Sequence, residues 1–159
     1  MPALRKALEA DGFEDVRTYL QSGNLVLHSS LPRHEQVADR VAGLLEKEFG
    51  VDAPVVVRAP PELALVASRN PFPEAARDRP NLLHVYFLAG TPAAADVAAL
   101  SDHELARDSC QVDGNHLYVD YQDGVHNSRL TAQFFARLLH VDGTARNWRT
   151  VVALEGLAR

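Results

Sequence analysis

The sequence predicts an α+β fold made of two similar halves, and three observations carry that reading. Runs of helical period alternate with short β-rich runs along the 159 residues. A tight glycine turn falls at matching places in the two halves, Ser22-Gly23-Asn24 and Asp113-Gly114-Asn115, and an arginine, Arg58 or Arg146, stands just before the last helix of each half. The second half reads β-α-β-β-α-β-α and the first reads α-β-β-α-β-α, the same order without its opening strand. The shared unit, β-α-β-β-α-β, is the split βαβ or ferredoxin-like arrangement, so the expected fold is two such repeats.

The elements follow in order. Leu4 and Leu8 sit at helical spacing in a helix over 2–11, which Asp11-Gly12 stops. Val16–Leu20 and Asn24–His28 form a hairpin around Gly23. Val37, Val41, Leu44, Leu45 and Phe49 mark one face of a long helix ended by Gly50. Pro54–Arg58 reads as a buried strand, and Pro60-Pro61-Glu62 opens a helix to Ser68. Residues 70–81 hold three prolines, Pro71, Pro73 and Pro80, and no consistent period, so they read as a linker between domains 1–69 and 82–159. Beyond it come a strand over 82–88, a helix from Thr91-Pro92 to Leu100, and a hairpin of Ser109–Val112 with His116–Tyr121. Leu130, Phe134, Phe135, Leu138 and Leu139 share a helix face, Gly143–Arg146 form a short strand, and Asn147 caps a last helix to Ala158.

Hydrophobic residues make up 47% of the chain, enough for a sizeable core. The net charge of -5 gives no long-range attraction to phosphate backbones or anionic lipid. A single cysteine, Cys110, cannot form an internal disulfide, and no apolar run reaches the roughly 20 residues a membrane helix needs. With no signal peptide core at the N-terminus, the expected compartment is the cytoplasm.

Four strings appear in order: Tyr19-Leu20-Gln21-Ser22-Gly23-Asn24-Leu25-Val26, Asn70-Pro71-Phe72, Ser128-Arg129-Leu130-Thr131 and Ala145-Arg146-Asn147-Trp148-Arg149-Thr150-Val151. Together they resemble the bacterial domain of unknown function 1697 family along essentially the whole chain. The resemblance implies a duplicated ferredoxin-like α+β fold and brings no established activity. Members of that family usually begin with a strand and a loop of the type Arg-Gly-Ile-Asn-Val-Gly-Gly. This chain starts where their first helix starts, which raises the expectation of a natural start upstream of Met1. Arg129 stands where the family often has lysine, keeping the charge but not its geometry.

Several chemistries lack their residues. His103-Glu104-Leu105-Ala106-Arg107 opens like a zinc-protease helix but has Arg107 where the second histidine belongs. The seven histidines show no paired ligand spacing, so no metal is expected. No P-loop, dinucleotide or nucleophile-elbow string occurs, and no cofactor is expected. Cys110 within a strand reads as a small core residue.

The positive signal concerns anions. Ser128 with Arg129, and Arg146 with Asn147, each stand at an expected helix N-terminus, where free N–H groups and the helix dipole favour negative charge and arginine adds a bidentate clamp. Gln21, Ser22 and Asn24 on the hairpin supply neutral donors, and Trp148 a stacking face. The ordinary alternative has Ser128 and Asn147 as helix caps, Arg146 and Arg149 as surface charges, and Trp148 as packing. The first expected function is therefore binding, with or without conversion, of a small anionic or phosphorylated metabolite in a cleft between the repeats. The second is a protein-interaction module or homodimer using an exposed sheet edge. The third is single-stranded RNA binding through Tyr86 and Tyr118, which the acidic balance disfavours.

Overall fold

In a computed structural model, which describes residues 2–20, 23–103 and 105–159, the chain is a mixed α+β structure with two antiparallel sheets and seven α-helices among those residues. Helix α1 (Pro2–Ala10) leads into the hairpin β1 (Glu14–Tyr19) and β2 (Asn24–His28), and α2 (His34–Phe49) follows. Helix α2 ends where Gly50 turns left-handed at φ 63°, its N–H reaching Glu46 O at 2.9 Å while Val51 N reaches Leu45 O at 3.2 Å. Leu4 and Leu8 of α1, Phe13, Val16 of β1, and Val37 and Val41 of α2 close the first core.

The expected strand Pro54–Arg58 is a correction. Residues 51–59 form no regular element and join no ladder, because among the described residues no strand pairs with them to exchange backbone hydrogen bonds. Side-chain alternation survives without the ladder. Val55 and Val57 pack toward the first core, whereas Val56 packs on a second core shared with the larger sheet. Helix α3 (Pro60–Ser68) begins at two prolines, with Glu62 closing a box on Ala59 N at 2.7 Å.

Within the expected linker 70–81 lies a six-residue helix, α4 (Pro73–Asp78), whose Ala75 is buried. Then come β3 (Leu83–Leu88), α5 (Ala94–Leu100), the hairpin β4 (Ser109–Asp113) and β5 (His116–Asp120), a 3-10 turn at Val125–Asn127, α6 (Ala132–Leu139), β6 (Gly143–Asn147) and α7 (Trp148–Leu157). The four strands lie in the order β4-β5-β3-β6, all antiparallel. Central strand β3 is buried on both faces. Tyr86 and Leu88 face α5 and α6, with Leu117 and Val119 of β5 and Tyr121 just beyond it beside them. Val85 and Phe87 face Leu63 and Val66 of α3 and Val151 of α7, with Tyr118 beside them. Each side chain fully buried here, such as Leu117 or Val119, contributes about 2 kcal/mol. Helix α3 comes from the first half and α7 from the second, so one face of the larger sheet is roofed jointly. Among the described residues no helix is long and apolar enough to cross a membrane.

Candidate functional site

Arg146 lies on β6 opposite Val85, hence on the sheet face that the first half covers. Its side chain leaves that face toward the β1–β2 hairpin. Nε donates to Asn24 Oδ1, Nη1 to Thr144 Oγ1 at 2.8 Å and to Ala145 O at 2.7 Å, and Nη2 to Gly23 O at 3.5 Å. Asn24 is itself 4% exposed and donates through Nδ2 to Tyr19 O at 3.0 Å. The turn is thus pinned on both sides of its tip. Leu20 at that tip holds φ 59°, a conformation a branched hydrophobe adopts at a cost, and yet presents its side chain to solvent.

Burial lowers the pKa of the Arg146 guanidinium from its ordinary value. The acceptors named above are side-chain and main-chain oxygens drawn from both halves of the chain. Asn147 caps α7 by accepting from Thr150 N at 3.0 Å, and Trp148 N donates to Pro80 O at 3.1 Å. Trp148 packs against the α3–α7 core, half-buried. Arg146, Asn147, Trp148 and Asn24 therefore meet at one seam. Gln21 and Ser22 lie outside the described residues.

Ser128 and Arg129 sit elsewhere. They follow the 3-10 turn beyond β5, where Ser128 Oγ donates to Asp108 Oδ2 at 2.5 Å and accepts from Leu130 N at 3.0 Å. Asp108 precedes edge strand β4, whereas Arg146 is on edge strand β6, about 14 Å away across three strand spacings. Nor does Ser128 cap a helix, as expected from sequence. Thr131 does, accepting from Phe134 N at 3.1 Å, because Leu130 is spent on core packing before the helix begins. A cavity of about 260 Å³ opens here, lined by Leu105, Arg107, Asp108, Asp123, Ser128 and Arg129. Its lining mixes both signs: Arg107 pairs with Asp123 at 2.8 Å, and Asp108 accepts from Ser128. A shallower groove between α2 and residues 52–55 carries Asp39, Asp52 and Asp142, a lining that repels anions.

Sequence reasoning passed over Arg58 as a site residue, although its equivalence to Arg146 was visible. Arg58 Nε donates to His116 Nε2 at 2.9 Å, and Nη2 to Leu88 O at 2.7 Å and Asn115 O at 3.0 Å. Its guanidinium also lies 5.8 Å from the Phe87 ring centre. The two arginines thus act reciprocally, each gripping the hairpin turn of the opposite half. Burial lowers the pKa of Arg58 too, but there Glu62 opposes the shift. Asp120, 4% exposed, takes Arg79 at 3.1 and 2.5 Å and Gln122 Nε2 at 2.8 Å, tying the 70–81 segment to the sheet. Nothing in the sequence links residues that far apart.

The remaining candidates are inert. Burial, followed by Asp108, pushes the Cys110 thiol up to about 11, which keeps it protonated near neutrality. Tyr86 and Tyr118 are 5% and 1% exposed, roofed by helices, so neither ring is open to a stacking base.

Among curated proteins no match is found. Among solved structures, the conserved bacterial protein SP0830 from Streptococcus pneumoniae is similar over 99% of this chain and 88% of its own, with a TM-score of 0.70 at 16% identity, a likeness of fold. A family model described as "Protein of unknown function (DUF1697)" matches residues 1–118, which include the hairpin and Arg58. By that match the chain belongs to the DUF1697 family, whose function is not known.

Proposed function

We propose that the protein binds a small anionic or phosphorylated metabolite at the seam where the β1–β2 hairpin meets the β6–α7 junction, with Arg146 as the anchoring cation. The observation that carries this is a half-buried guanidinium that joins the β1–β2 hairpin to the start of α7, donating to Asn24 Oδ1, Gly23 O, Thr144 Oγ1 and Ala145 O. A phosphate or carboxylate reaching this guanidinium would make charge-assisted hydrogen bonds where screening is weak. Helix α7 starts immediately after Arg146, and its positive end adds to the same field. The strained Leu20 at the hairpin tip supports the assignment, since such strain is kept where geometry serves a purpose.

The fold reading that accompanies this is a pair of ferredoxin-like repeats. The β4-β5-β3-β6 order and the reciprocal Arg58 and Arg146 grips favour it. The lone cysteine favours a reducing bacterial cytoplasm as the place of action.

A thermal-shift screen against phosphorylated sugars, nucleotides, coenzyme A and simple carboxylates tests the proposal. A ligand at a hundred times its dissociation constant adds about 2.7 kcal/mol to stability. Arg146→Ala loses its hold on Asn24 and melts lower without ligand, so each variant is compared with its own ligand-free baseline. The expected result is a ligand increment in the wild type that Arg146→Ala abolishes and Arg146→Lys partly keeps. A blank screen on folded protein, or an undiminished increment in Arg146→Ala, sinks the proposal.

A further inference from the structure

The junction between the two halves is closed at one end by an acceptor that a proton can remove. Arg58 leaves the segment before α3 and is bound wholly by oxygens and one imidazole nitrogen. Because guanidinium has no acceptor, its 2.9 Å contact requires His116 Nε2 to carry a lone pair, which places the imidazole proton on Nδ1. His116 is 9% exposed, packed edge-on to Phe87 with ring centres 5.5 Å apart, and Phe87 in turn underlies Arg58. Protonating Nε2 would delete the hydrogen bond and set two cations against each other in a half-buried space.

We propose that Arg58 and His116 form an acid-sensitive latch between the halves: protonation of His116 expels Arg58 and frees the segment 54–59 from the β4–β5 hairpin. The neighbouring charges temper the latch without replacing it. Glu62 on α3 attracts both cations, and Asp113 on β4 attracts His116. Each already has a partner, Glu62 in His34 at 3.5 Å and Asp113 in Arg69 at 3.5 Å. Burial and then Arg58 hold the His116 pKa down at about 4, below the 6.5 of a free imidazole. The sign follows from that order. Above pH 6.5 neither the closed nor the open form carries the proton, and the latch is at full strength. As pH falls from 6.5 to 4 the open form alone takes it up, and the latch weakens; below 4 both forms carry it and the loss levels off.

Trp148, the sole tryptophan, packs in the core beneath α3 and reports on this junction. The experiment follows its fluorescence from pH 7 to pH 4 in the wild type and in His116→Gln, whose amide oxygen can still accept from Arg58. A wild-type transition between pH 6.5 and 4 that His116→Gln lacks supports the latch; the same transition in both overturns it. Should His116→Gln fold poorly, hydrogen exchange on the wild type decides. The opening constant at Leu88, whose N–H is bonded to Asn115 O, should rise about a hundredfold over that range. An opening constant independent of pH overturns the proposal.

Discussion

The phenol of Tyr121 is fully buried, yet its hydroxyl has two partners: it donates to Leu130 O at 2.7 Å and meets Tyr86 Oη at 2.9 Å. Burial drives its pKa well above that of a free phenol, so it stays neutral. Tyr121→Phe keeps the ring and strands the Leu130 carbonyl, so a loss of about 1–3 kcal/mol is expected in denaturant unfolding. A loss near zero would mean that water replaces the hydroxyl. The legibility of single residues divided along the same line. Caps such as Asn147 were readable because a cap acts within three residues of itself. The Tyr86–Tyr121, Arg79–Asp120 and Arg58–His116 pairs were not, since each joins residues 35 or more positions apart. At the candidate site, Arg146 and Asn24 were named from sequence, but their direct contact was not, and Arg129 was placed with them although the sheet separates the two.

At the scale of elements, β6 leaves no room for a side chain where Gly143 faces Leu88 of β3. A Cβ built on Gly143 would lie 3.0 Å from both Leu88 Cδ2 and Phe87 O. The obstacle is space, because this glycine does not use a left-handed backbone. Gly143→Ala should push the strands apart and cost about 1–3 kcal/mol, read as a lower unfolding midpoint with faster amide exchange along β6. Unchanged stability would show that Leu88 moves aside freely. Elements with a clear period, such as α2 and α6, were legible because one face must be apolar. Helix α4 was hidden by its brevity, since six residues hold too few turns to show a period. The segment 54–58 misled for another reason. Its continuous apolar run is real, but the run reports packing on two sides and says nothing about whether a neighbour completes a ladder.

For the whole molecule, the reciprocal grips of Arg58 and Arg146 and the shared roof of α3 and α7 make each half a condition for the other. A chain cut between Arg69 and Asn70 should give two pieces that bind on mixing. Piece 70–159 alone should show a weakened near-ultraviolet signal from Trp148, because α3 no longer covers Val85 and Phe87. Sedimentation and circular dichroism of the separate and mixed pieces check this; a fully native spectrum from the second piece alone would refute it. The order of elements was visible because it is local information, whereas the seam joining the halves depends on contacts that span the chain. Residues 55–57 sharpen the point, for they are a party wall: Val55 and Val57 furnish one room and Val56 the next. A volume change at Val56 is therefore felt in the first core as a shift of its own wall, and the two interiors cannot be repacked, by mutation or by descent, one at a time.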